Sequence, residues 1–305
     1  VNPMLNTLGG GGNKGNQLIQ LGASLNSLAA TIVPVFVGYL MGDVASARIS
    51  DANPALFIAM AIFALAFVII FFSAIPEPEL EAAKAAPAKE SEGVVASVKG
   101  ALSHNNLLFG IIAIFVYVGV EVGIPNIANL YMTSGAEHGG LGIATGTAGT
   151  IVGLYWLLML CGRLVGGALG GKISSKHMMT GVSSVAILLV ILGIFIPESA
   201  VISLGALADG AVVPVKILCF VLCGLCTSVM WGSIFNLAVE GLGKYTSIAS
   251  GVFMVMVCGG GILPYFQGLL ADVTSFVSSY WLIVVALGYM LCYTLFLSKP
   301  TPEEE

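Results

Sequence analysis

Residues 115–132, FVYVGVEVGIPNIANLYM, place a carboxylate, Glu121, inside a run apolar enough to lie in a membrane, with no basic residue near it in sequence. A charge left alone in hydrocarbon is expensive, so Glu121 should face a protein-lined or wet cavity. There it could exchange a proton or hold a ligand hydroxyl; a structural hydrogen bond to a neighbouring helix is the plainer role. At about 100° per residue, Pro125 lies about 40° from Glu121, Asn129 about 80° and Asn126 about 140°. Asn129 can therefore share a face with Glu121. Asn126 can do so only if Pro125 kinks or unwinds the helix. Asn26, in LNSL, offers a donor and an acceptor from one amide, for a ligand or for a neighbouring helix. Trp231 and Trp156 fall in the middle of apolar runs, where an aromatic face can stack on ligand C–H groups. Trp281 opens the last run and suits an interfacial anchor.

Other chemistries lack their residues. Cys219, Cys223 and Cys226 have helical spacing, but no His or carboxylate accompanies them, so they are expected to pack rather than bind metal. The six cysteines all lie in apolar runs and imply no disulfide framework. His104, His138 and His177 fall in loops or at span ends, which argues against haem or an intramembrane metal site. G-x-S-x-G and H-E-x-x-H are absent, and GGGGNKGN at 9–16 lacks the strand and the GK[ST] of a nucleotide loop. No cofactor is implied.

These side chains must be positioned by membrane helices. The chain has 305 residues, is 57% hydrophobic and only 9% charged, with a net charge of −5 and no basic block for nucleic acid. The runs that can span a bilayer are 17–41, 54–75, 105–133, 144–169, 177–197, 212–238, 247–271 and 277–297, eight in all. They are too long for barrel strands, so the class is an all-α polytopic membrane protein. With the segment before residue 17 cytoplasmic, Lys14, Lys84, Lys89, Lys99, Arg163, Lys172, Lys176, Lys244 and Lys299 fall on the cytoplasmic side, nine of the 11 basic residues. Arg48 and Lys216 fall outside, where the loops carry Asp43, Asp51, Glu137, Glu198, Asp209 and Asp272. An even number of spans then also puts the C-terminus in the cytoplasm.

The longest stretch without a span, 76–104, begins PEPELEAAKAAPAKESEG and has the composition of a solvated linker with a short helical tendency. It separates 1–75, with two complete spans, from 105–305, with six. Pro34-Val-Phe-Val-Gly38 followed by Gly42-Asp43 is echoed by Pro264-Tyr-Phe-Gln-Gly268 followed by Asp272. Pro and Gly recurring at matched depths are the trace of a repeat-built carrier with broken helices. The two-plus-six division, and a start at Val1 within a half-apolar, glycine-rich segment, suggest a fragment, with four spans expected on the amino-terminal side.

NPMLNTLG at 2–9, LNSLAATIVP at 25–34, YVGVEVG at 117–123, CGRLVGG at 161–167, SIFNLAVEGLG at 233–243 and VMVCGGGILP at 255–264 carry a resemblance to the major facilitator superfamily, and within it to the fucose permease and glucose/galactose transporter family. The resemblance implies a major facilitator fold of twelve helices, of which eight complete ones are present, in two bundles that move a hexose with protons by alternating access. On that pattern residues 1–13 are the end of helix 4 and 17–41 is helix 5. Asn26 matches a cavity asparagine, Trp231 an aromatic of the tenth helix, and Glu121 a position that carries Gln or Glu, which suits a sugar contact. GGALGGKISSK at 166–176 resembles the cytoplasmic loop motif: Lys172 and Lys176 keep its basic positions beside Arg163, whereas Gly171 stands where an acidic residue is usual. The family's proton-coupling acids would precede Val1. A monomer in the bacterial inner membrane, with a sugar and H+ or Na+ as its ligands, is implied. A membrane enzyme on lipid-linked substrates and a channel are the competing classes.

Overall fold

The structure, a computed structural model, describes residues 5, 9–10, 12–41, 50, 53–73, 94–205 and 210–299. Most of NPMLNTLG, the Gly42-Asp43 end of the echo and linker residues 76–93 lie outside the described residues. The described helices are α1 Gly12–Met41, α2 Asn53–Phe72, α3 Val94–Leu102, α4 Asn105–Thr133, α5 Thr145–Gly170 and α6 Ser175–Phe195, followed by α7 Val215–Thr227, α8 Met230–Val239, α9 Thr246–Met256, α10 Gly259–Val273 and α11 Tyr280–Cys292. Between α6 and α7 lies a short antiparallel ribbon of β1 Val201–Ser203 and β2 Val212–Pro214, with Ile202 opposite Val213. This ribbon is the one departure from an all-helical architecture among the described residues.

Among the described residues, seven stretches are long and apolar enough to cross a membrane, α7–α8 and α9–α10 each counting as one interrupted span. The expected span 17–41 lies in α1, which is not among the seven. One face of α1 is polar, carrying Asn16, Gln20, Ser24 and Ser27, all buried. Residues 1–28 and 95–305 form one compact unit and residues 29–94 a second. Within the second, α2 is apolar all round and buries none of its residues.

In the first unit the centre is α4, sixteen of whose residues are buried. Gly119 and Gly123, one helical turn apart, let α10 approach closely. A Cβ at Gly119 would collide with Leu263, and one at Gly123 would come 2.5 Å from the Oε1 of Gln267. Small residues at i and i+4 are how membrane helices bring their backbones together, because lipid supplies no hydrophobic drive between them. Gly119→Leu is therefore expected to cost at least about 1–3 kcal/mol through overpacking, seen as a lower thermal midpoint in detergent. An unchanged midpoint would mean that the two helices do not meet there.

Polar side chains close the ends of the bundle. Asn106 donates its amide to the carbonyls of Ala238 at 3.1 Å and Glu240 at 2.8 Å, satisfying the end of α8. At the other end the Tyr131 hydroxyl donates to Glu198 Oε1 at 2.6 Å, and Lys216 Nζ lies 3.7 Å from the same oxygen. Lys216, one of the two basic residues that the charge pattern sets outside, is buried and paired.

Candidate functional site

The α7–α8 span is broken at Ser228–Val229. Three features favour a break there. Thr227 and Ser228 turn their hydroxyls back onto their own helix, Thr227 onto the Cys223 carbonyl at 3.1 Å and Ser228 onto that of Leu225 at 2.6 Å. Gly224, which packs on the Tyr155 carbonyl, adds a backbone-to-backbone contact. Carbonyls freed by the break need donors from elsewhere. Arg163 Nε lies 3.4 Å from Ser228 O, while Gln20 Nε2 reaches Val229 O at 2.8 Å, a second donor to a carbonyl that already accepts the Ser233 N–H at 3.2 Å.

Arg163 is the hub. Its Nη2 donates to Glu121 Oε1 at 3.0 Å, while Nη1 donates to Ser27 Oγ at 2.7 Å and to Ala23 O at 3.0 Å. The two side chains of the ion pair are only 6% and 15% exposed, so the charges answer one another away from bulk water. The fixed fork of a guanidinium can serve a carboxylate, a hydroxyl and carbonyls at once, which an ammonium cannot. One residue of α5 thereby joins α4, α1 and the α7–α8 break.

Two helical turns before Arg163, the Tyr155 hydroxyl donates to the Glu121 carbonyl at 3.1 Å and lies 3.0 Å from Thr227 Oγ1. Trp156 meets the Tyr155 ring edge-on at 5.3 Å, and Trp231 lies against Tyr117 at 6.4 Å. Both tryptophans are half-buried. Tyr117 stands one turn before Glu121, and its hydroxyl is buried beside the Glu121–Arg163 pair. The cluster therefore offers an ion pair, a buried phenol and two indole faces. Such a set recognises a neutral polyhydroxylated molecule better than an ion, since the charges cancel while donors and acceptors remain.

The expected residues divide around this cluster. Glu121, Trp156 and Trp231 belong to it. Asn129 is half-buried two turns beyond Glu121. Asn126 is exposed: α4 runs unbroken through Pro125, so the unwinding that would turn Asn126 inward is absent. Asn26 is also exposed, about 100° around α1 from Ser27, the residue that meets Arg163. Arg163 requires a correction. It does not join Lys172 and Lys176 in a solvated loop motif; it is 5% exposed and bonded inside the unit, because it lies seven residues before the end of α5 on the face toward α4. Lys172 is exposed, and Lys176 reaches Leu295 O at 3.4 Å. Among the described residues no cluster of His, Cys, Asp or Glu could hold a metal.

Residues 19–263 match the Major Facilitator Superfamily. The chain belongs to that family. A major facilitator protein is a transporter, not an enzyme, which removes the membrane-enzyme reading, and it is an integral membrane protein with a helical fold. A glucose/galactose transporter of Brucella abortus biovar 1 is 29% identical over 312 aligned positions, covering 98% of this chain and 67% of the relative. Two crystal structures share the fold with a TM-score of 0.71. One is a Major Facilitator Superfamily transporter, FucP, in the outward conformation, 18% identical and covering 94% of this chain and 69% of that one. The other is a single-substitution variant of FucP, the Fucose:proton symporter of E. coli, 17% identical, covering 94% and 70%.

In this member of the superfamily, sequence reasoning missed Tyr117, Tyr155, Ser27 and Ser228. Tyr155 carried a usable signal: it lies eight residues before Arg163, hence on nearly the same face of α5. Ser27 did as well, since Asn16, Gln20, Ser24 and Ser27 fall on one polar stripe of an otherwise apolar helix.

Proposed function

We infer that the protein is a secondary active transporter for a neutral hexose such as fucose, glucose or galactose, coupled to protons and working by alternating access. The observation that carries this reading is the buried Glu121–Arg163 pair, with two tyrosines near Glu121 that each carry a half-buried tryptophan, Tyr155 with Trp156 and Tyr117 with Trp231. Hydroxyls of the sugar can meet the paired charges and the Tyr117 hydroxyl, while Trp156 and Trp231 take the C–H faces of the sugar ring. Asn129 and Asn26 are further contacts in this reading, and Asn126 contributes only on rearrangement. The name of the Brucella relative and the shared fold with the fucose symporter support the substrate class. The protein acts as a monomer without a cofactor in a bacterial inner membrane, its C-terminus cytoplasmic on the balance of Lys residues. The twelve-helix arrangement in two bundles, with 76–104 as the cytoplasmic linker, belongs to the same reading.

Alternating access requires contacts that close one side and break when it opens. Asn16 Nδ2 donates to Ser175 Oγ at 3.1 Å, and Asn236 Nδ2 reaches the same oxygen at 3.0 Å. With Gln20 on Val229, these bonds tie α1 to α6 and the α7–α8 break on the side of Lys172 and Lys176. They are short, polar and few, which suits a closure that must be reversible.

The test is a hexose panel on the full-length protein in proteoliposomes, with pH and Na+ gradients varied separately. Accumulation of a hexose under an inward proton gradient is the expected result. Accumulation under a Na+ gradient alone would reassign the coupling ion, and no hexose accumulation under either gradient would overturn the reading.

A further inference from the structure

In an α-helix the N–H of residue i+4 binds the carbonyl of residue i. The donor owed to the Glu121 carbonyl is therefore residue 125, and residue 125 is a proline, which has no N–H. A buried carbonyl left without a donor is destabilising, and native structures fill such gaps. Here the Tyr155 hydroxyl fills it from the neighbouring helix, at 3.1 Å. A carbonyl only accepts, so the phenol donates its proton to Glu121 O. Thr227 Oγ1, 3.0 Å from the phenol oxygen, has a single proton to give either to that oxygen or to the Cys223 carbonyl. Glu121 is consequently gripped twice by α5, through its carbonyl by Tyr155 and through its carboxylate by Arg163 two turns along. The proline in α4 does not unwind the helix; its effect is to open one acceptor at the residue whose side chain carries the charge.

We propose that Tyr155 is a positioning residue for Glu121, acting through the backbone carbonyl that Pro125 leaves free. This rests on the reading of Glu121 as a sugar contact, and it explains why a proline is placed four residues after it. Without the phenol, the turn 121–125 is unpinned on the α5 side. The carboxylate then no longer meets Arg163 and an incoming hydroxyl from a fixed point. A rise in KM is the signature expected of a binding group displaced rather than removed.

The link between Pro125 and Tyr155 can be tested by a double-mutant comparison, because Pro125→Ala returns the missing N–H to the carbonyl. In the full-length protein, Tyr155→Phe is expected to raise the hexose KM about tenfold, with the maximal rate held within about twofold, and to lower the thermal midpoint in detergent. In the Pro125→Ala background the same change should do neither, since the restored backbone N–H now serves the carbonyl. A lower midpoint with wild-type KM would reduce Tyr155 to packing. An equal effect in both backgrounds would show that it does not act through that carbonyl; either result overturns the proposal. Should the wild-type protein move no hexose, the substrate reading fails on its own. The dependence of the midpoint change on residue 125 then still decides whether the Pro125–Tyr155 link exists.

Discussion

Arg163→Ala is expected to abolish hexose uptake and to destabilise the transporter by about 3–5 kcal/mol, the usual result of removing one partner from a buried ion pair. The cause is the burial: the Glu121 side chain is 15% exposed and would be left as an uncompensated charge, while Ser27 Oγ and the carbonyls of Ala23 and Ser228 would lose their donor together. Arg163→Lys should recover only part of the stability, since an ammonium cannot span the fork that reaches Glu121, Ser27 and Ala23 at once. Combining Arg163→Ala with Glu121→Gln removes the orphaned charge. The pair should then regain part of the thermal midpoint without regaining uptake. Midpoint and uptake measured on all four proteins check this, and a wild-type midpoint for Arg163→Ala would show that the pair is solvated in the membrane.

Glu121→Ala is expected to lower kcat/KM for hexose uptake about 100-fold or more, because polar groups built to meet a ligand hydroxyl are then left unpaired. Glu121→Gln separates the two roles open to the residue. An amide still offers hydrogen bonds to a sugar but carries no exchangeable charge. If Glu121 is chiefly a sugar contact, the Gln variant keeps measurable uptake that still responds to a pH gradient. If it is the proton carrier, the Gln variant exchanges sugar down its gradient but no longer concentrates it when a proton gradient is applied.

Much of this was legible in the residues, though not evenly. The spans were written in long apolar runs, and seven of the expected runs are transmembrane-length helical stretches. That Glu121 would need a partner followed from the cost of an acid in hydrocarbon. The identity of that partner was not legible. Arg163 lies 42 residues away, and a charge count that treats every Arg as a loop marker assigns it to the cytoplasm. Its distance from the end of α5 was the overlooked clue. Asn26 and Asn126 show the opposite limit: both are amides in apolar helices, yet a rotation of about 100° in one case and an unbroken helix in the other leaves them exposed. Tyr155 was invisible to any scan for charged residues, although Pro125 marked the carbonyl that it serves.

The most direct measurement is exchange of labelled hexose across proteoliposomes without any ion gradient, comparing the wild-type full-length protein with Glu121→Ala. Exchange isolates sugar binding and translocation from coupling, so it bears on the Glu121 centre whatever the driving ion. Rapid exchange by the wild type and almost none by Glu121→Ala is the expected result. Wild-type exchange by the Ala variant, or no exchange by the wild type, would contradict the assignment of the Glu121–Arg163 cluster as a sugar site.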